Sequence, residues 1–222
     1  MCGIVGYIGN KPAYDILING LKKLEYRGYD SSGIMIYNEK KLVKKTKGKV
    51  ADLENLFKNS NEKKGSIGIG HTRWATHGPP NKTNSHPHTS NSGEITLVHN
   101  GIFENYDSIK KVLIKKGYVF HSETDSEVLV NLIEDIIKTK KVKLGKAVYY
   151  ALKQVVGAYA IVVFDSNNPK EIVGARLGSP LAIGVGDTEY YFGSDATPFL
   201  EFTKSCIYLN DNEMFIVSLE KG

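Results

Sequence analysis

Cysteine stands at position 2, in the opening stretch MCGIVGYIG. If Met1 is removed, this residue carries a free thiol and a free α-amine on one carbon. The amine ordinarily titrates at about 7.7–8.0 and the thiol at about 8.5. One residue could then supply both the nucleophile and the base for acyl transfer. The alternative is a small thiol buried in a core strand, a common place for free cysteine. Four other stretches bring polar residues together, each expected just past a strand end: RGYDSSG (27–33), HTRWATHG (71–78), HNGIFEN (99–105) and SETDSE (122–127). In HNGIFEN, Gly101 would let a backbone N–H point outward beside the Asn100 side-chain amide. Two donors so placed make an oxyanion hole. Asn-Gly is also a common hairpin turn, although the helix-forming pattern after it weakens that reading. Arg73 and Asp125 suit a free amino acid: Arg can take a carboxylate bidentately and Asp can pair with an ammonium group. Each also has a structural alternative, an ion pair for Arg73 and a favourable charge at a helix N-terminus for Asp125.

The six histidines invite a metal reading, above all the His86-Pro-His88 pair. None of the spacings H-E-x-x-H, C-x-x-C or H-x-E…C-x-x-C is present, so no metal site is expected. The GSIGIG run at 65–70 precedes no helix, which argues against dinucleotide binding.

The elements that must position these residues can be read from periodicity. Residues 2–9 form a buried strand, and 12–24 a helix with Ile16, Leu17, Leu21 and Leu24 at helical spacing behind Pro12. GIMIYN and KLVKKTKG read as a two-stranded hairpin, ADLENLF as a short helix, GSIGIGHT and EITLVHN as strands. The stretch 73–93 is the longest irregular segment, a length that marks function or disorder. Helices follow near 105–116, 125–138 and 143–155. In the second of these Val128, Leu129, Leu132, Ile133, Ile136 and Ile137 share a face, and Thr124 with Glu127 makes a capping box. From Gly157 the chain is mostly strands: AYAIVVFD, EIVGAR, PLAIGVG, YYFGS, CIYLN, whose first residue Cys206 reads as core, and EMFIVS. Long continuous apolar strands call for two sheets buried against each other, with helices outside: a four-layer αββα sandwich of the α/β (α+β) class.

The 222 residues suffice for a sizeable core, and 41% are hydrophobic. The formal charge of +5 is spread over scattered lysines, without the concentrated basic face that a nucleic acid needs. Two cysteines without paired spacing fit a reducing cytoplasm. No apolar run approaches a membrane span, and there is no signal-peptide pattern.

Taken together, CGIVG, LEYRGYDSSG, HTRWATHG, NSHPH, VHNGIFEN, SETDSE and GAYAI resemble the glutaminase domain of the class II glutamine amidotransferases, which are N-terminal-nucleophile hydrolases of αββα fold. The likeness runs in order from residue 2 to about 219. Amidophosphoribosyltransferase and asparagine synthetase share the Cys-Gly start but differ around RGYDSSG and HTRWATHG. The motifs are most similar to the branch that delivers ammonia to fructose 6-phosphate. The resemblance implies Cys2 as nucleophile, with its α-amine as general base, and Asn100 with the Gly101 backbone as oxyanion hole. It implies that Arg73 holds the glutamine carboxylate and Asp125 its ammonium. Trp74, Thr76 and His77 would belong to a loop that closes over glutamine, supported by His86. Arg27 and Gly28 would flank the nucleophile. It implies no cofactor and a cytoplasmic, homodimeric full-length enzyme. In that branch two sugar-isomerase domains follow. Here the chain stops at SLEKG, so residues 1–222 are expected to hydrolyse L-glutamine but not to use fructose 6-phosphate alone. A glutaminase domain of another transferase, or a silent binding domain of the same fold, is the alternative.

Overall fold

The computed structural model describes residues 2–75 and 78–219. Strand β1 (Gly3–Ile8) is followed by helix α1 (Ala13–Lys23), the hairpin β2 (Ser31–Asn38) and β3 (Lys40–Lys47), and the short helix α2 (Val50–Glu54). Next come β4 (Ile67–Arg73), β5 (His88–Thr89) and β6 (Ile95–Phe103). Helices α3 (Tyr106–Lys115), α4 (Asp125–Lys140) and α5 (Leu144–Leu152) form a consecutive block. The remaining strands are β7 (Gly157–Asp165), β8 (Glu171–Leu177), β9 (Ala182–Val185), β10 (Tyr190–Gly193), β11 (Cys206–Tyr208) and β12 (Met214–Ser218).

Two antiparallel sheets result, ordered β11-β9-β10-β1-β4-β2-β3 and β12-β8-β7-β6-β5. The central strands, β1 and β7 above all, are apolar on both faces because both faces are covered. Along β1, Ile4 and Ile8 enter the core between the sheets, while Val5 and Tyr7 pack outward with Leu17 and Leu21 of α1. Along β7, Ala160, Val162 and Phe164 face the other sheet, and Ile161 and Val163 face the core under α4 and α5. This is the expected four-layer αββα arrangement.

Helix α4 departs from a simple amphipathic stripe. Its apolar face is as expected, but Asn131 and Glu134 on another face are buried too. They hold the long irregular segment: Asn131 Oδ1 accepts from Asn91 N–H at 2.9 Å, and Glu134 accepts from Ser92 N–H at 3.1 Å. Asn84 and Glu123 add a further bond at 3.1 Å. The segment is therefore fastened polar group by polar group to the start and flank of one helix. Only half of the expected capping box forms. Thr124 Oγ1 accepts from Glu127 N–H at 3.3 Å, but the Glu127 carboxylate reaches back to the N–H groups of Ser122 and His121.

Three expectations need correction. RGYDSSG follows α1 and runs into β2, while SETDSE runs into α4, so neither lies past a strand end. The Asn100-Gly101 pair is not at a strand end or turn: β6 runs on to Phe103, pairing Asn100 with Ala160 and Gly101 with Tyr159 on β7. Nor does Cys206 open a core strand. It is half-buried at the start of β11, whose Tyr208 is 64% exposed, because β11 is the outermost strand of its sheet.

Candidate active site

Cys2 precedes β1, and the pairing of Gly3 with Thr72 sets it beside the end of β4, where Arg73 closes the strand. Its Sγ accepts a hydrogen bond from Trp74 N–H at 3.2 Å and lies 3.5 Å from the Trp74 carbonyl. Burial pushes the thiol pKa up, against the opposing pull of the Trp74 contact and the Arg73 charge. The resting thiol is thus protonated at neutral pH and needs a base to become a nucleophile.

Asp30 holds the peptide that touches the sulfur. Its backbone N–H donates to the Arg73 carbonyl at 3.1 Å, and its carboxylate accepts from Ala75 N–H, so Trp74 is bracketed on both sides. The indole is 50% exposed and stands edge-on to Tyr29 at 5.6 Å. Gly28 packs against the same peptide: a Cβ there would lie 2.7 Å from the Arg73 carbonyl carbon and 2.8 Å from Trp74 N. Arg27 turns instead to Asp195, with Nε and Nη2 both donating to Oδ2 at 3.0 and 2.9 Å.

Asn100 comes from the other sheet. Its Nδ2 donates to the Cys2 carbonyl at 3.0 Å and to Ser194 Oγ at 3.0 Å, while Oδ1 lies 2.8 Å from His71 Nε2. Gly101 follows with φ +127, in β6 against β7, where a Cβ would come within 2.0 Å of the Ala158 carbonyl oxygen. Asp125 is the first residue of α4. Its Oδ2 accepts from Phe103 N–H at 2.8 Å, leaving Oδ1 3.4 Å from Ser126 Oγ and 4.0 Å from His99 Nδ1. Arg73 is buried, and one of its Nη atoms donates to the Gly78 carbonyl at 3.3 Å. Burial lowers its pKa, opposed by the charges of Asp30, Cys2 and Asp125; an arginine so perturbed stays charged.

A cleft of about 280 Å³ joins these groups, lined by Cys2, Arg73, Trp74, Asn100, Gly101 and Asp125, with Arg27 and His86 also on its wall. Gly28 acts from behind that wall, and Thr76 and His77 lie outside the described residues. Ile102, from the HNGIFEN stretch, lines the cleft too, as do Ser179 and Pro180, which nothing in their sequence context singled out.

His71, His86, His88 and His99 are buried together. His86 stacks on His71 at 4.1 Å and meets His88 edge-on at 4.7 Å. His86 Nδ1 accepts from His99 N–H at 3.3 Å, and its Nε2 faces Ser126 Oγ at 3.4 Å. His88 Nε2 is 3.1 Å from Thr124 Oγ1. These ring nitrogens are spent on fixing β6 and the start of α4.

Comparison with known proteins gives concordant results. A family model described as "Glutamine amidotransferase domain" matches residues 40–218. The chain is 53% identical, over its whole length, to glutamine–fructose-6-phosphate aminotransferase [isomerizing] of Bacteroides thetaiotaomicron. It is 48% identical, over 98% of its length, to the enzyme of that name from Pyrococcus horikoshii. In both cases it spans 36% of the relative's length. Among solved structures, B. subtilis glutamine phosphoribosylpyrophosphate amidotransferase, complexed with ADP and GMP, superposes with a TM-score of 0.77 at 26% identity, over 100% of this chain and 50% of that one.

Proposed function

The chain belongs to the glutamine amidotransferase family, and on that premise we propose that Cys2, freed from Met1, is the nucleophile of a glutaminase. The supporting observation is that one cleft holds the Cys2 thiol, two candidate oxyanion donors on β6 and two oppositely charged buried side chains. Arg73 takes the α-carboxylate of L-glutamine and Asp125 Oδ1 its ammonium. The extended side chain then brings the amide carbon to Sγ.

The α-amine of Cys2, through a water, removes the thiol proton, and Sγ attacks the amide carbon. The negative charge that develops on the amide oxygen is met by Asn100 Nδ2 and the Gly101 N–H. The protonated amine gives its proton to the departing nitrogen, and ammonia leaves. Water, activated by the same amine, hydrolyses the γ-glutamyl thioester and releases glutamate. Trp74, half exposed beside Sγ, covers the bound amino acid, with Arg27 and Gly28 shaping the side next to the thiol and His86 holding β6 and the start of α4 behind it.

We further propose that the ammonia serves fructose 6-phosphate, in the synthesis of glucosamine 6-phosphate by a cytoplasmic homodimer. The likeness to the two isomerizing aminotransferases supports the sugar acceptor. Residues 1–222 are the glutaminase portion, and sugar-isomerase domains elsewhere take up the ammonia. Among the described residues, no helix is long and apolar enough to cross a membrane. Assay of glutamate and ammonia release from L-glutamine tests the glutaminase reading. Equimolar products are expected, and the absence of both under saturating glutamine would refute it.

A further inference from the structure

We propose that His71 is the positioning residue that fixes the Asn100 amide, so that nitrogen rather than oxygen faces the reacting group. The proposal rests on the glutaminase reading and adds a residue to it. His71 lies in β4 of the seven-stranded sheet and is 1% exposed, whereas Asn100 lies in β6 of the other sheet. His71 Nε2 is 2.8 Å from Asn100 Oδ1 and 3.0 Å from the His99 carbonyl oxygen. A carbonyl oxygen only accepts, so Nε2 carries the proton. The amide atom sharing that proton must then be the oxygen, because an NH₂ group there would set donor against donor.

The other end of the amide agrees. Nδ2 donates to the Cys2 carbonyl, which can only accept, and to Ser194 Oγ, which already accepts from Ile4 N–H at 2.8 Å. Both amide hydrogens are therefore engaged. A substrate oxyanion must share or take over one of them, which weakens the hold at that end during the reaction. The His71 bond, on the opposite side of the amide, is untouched by substrate and keeps the orientation. Among the described residues His71 Nδ1 has no hydrogen-bond partner, and the ring is stacked on His86, so a second ring proton would be buried unsatisfied. Burial accordingly pushes the pKa of His71 down to about 3.

The test compares His71→Asn and His71→Gln for kcat, KM and glutamine binding by calorimetry. A glutamine amide nitrogen reaches the place of Nε2, and an asparagine amide stops near Nδ1. His71→Asn should lower kcat roughly 10–100-fold, less than the 10²–10³ of losing an oxyanion donor itself, with KM changed less than about threefold. His71→Gln should restore most of that loss. In an Asn100→Ala background, His71→Asn should add less than about twofold, since the group it positions is gone. Equal multiplicative losses in both backgrounds, or a raised KM at constant kcat, would overturn the proposal. Imidazole ¹⁵N shifts of the wild-type protein decide independently of variant folding: His71 should be neutral and protonated at Nε2, and protonation at Nδ1 would refute the arrangement. If the wild type releases no glutamate, the glutaminase reading fails, and the ¹⁵N result still judges the His71–Asn100 pair.

Discussion

Burial raises the Cys2 thiol pKa, so its reactivity has to come from a neighbouring base rather than from a preformed thiolate. Cys2→Ala should abolish glutamate release while calorimetry still detects glutamine, because the proposed binding groups Arg73 and Asp125 are unchanged. Cys206→Ala, on the half-buried edge strand, should leave turnover near wild type. An inactive Cys206→Ala enzyme would mean that the wrong thiol has been chosen. The amino-acid clamp has its own test. In Asp125→Asn the amide oxygen can still accept from Phe103 N–H, which preserves the fold at β6, but the negative charge is gone. The loss should be about 2–5 kcal/mol in kcat/KM for L-glutamine, the range for truncating one partner of a buried charged pair. It should be much smaller for an analogue without the α-amine. An equal penalty on both substrates would make Asp125 structural.

At the scale of elements, the site depends on β6 continuing straight through Asn100 and Gly101. Gly101 has φ +127 and a backbone oxygen where a Cβ would sit. Gly101→Ala should therefore cost at least ~1–3 kcal/mol for the strained backbone alone, seen as a lower urea midpoint at unchanged m-value. Wild-type stability in that variant would show that the strand can relax there. The two sheets, their outer helices and the motif clusters could be read from the sequence, because strands with apolar residues on both faces and a 3.6-residue helix stripe are local patterns. The position of Asn-Gly within a strand was not readable, because its usual turn chemistry is overridden by pairing with Ala160 and Tyr159. The fastening of residues 84–92 to α4 was also hidden. Asn131 and Glu134 look like solvent-facing helix residues until the loop that they hold is in place. His71 and Asn100 meet only because the sheets stack, a contact that no single stretch of sequence encodes.

Across the whole molecule, the buried histidines couple stability to pH. His71 titrates at about 3, and His86 and His88 are also held well below the ordinary value of 6.5, chiefly by desolvation. The unfolded chain binds these protons first, so the stabilisation is complete above about pH 6.5 and is lost as the pH falls towards 3. His71 alone should cost about 2 kcal/mol between pH 7 and pH 5, measurable by urea unfolding, and a flat profile would show that the cluster is hydrated. The chain spans 36% of the length of its B. thetaiotaomicron relative, and the proposed glutamine hydrolysis can be assayed without any acceptor sugar. The most direct measurement follows from the proposed role of Cys2 as an N-terminal nucleophile. Glutamate release should be compared between protein whose intact mass shows Met1 removed and protein made to retain it. The processed form should turn over glutamine and the Met1-retaining form should be folded but inactive, since a peptide nitrogen cannot act as the base. Equal turnover by the two forms would contradict the mechanism.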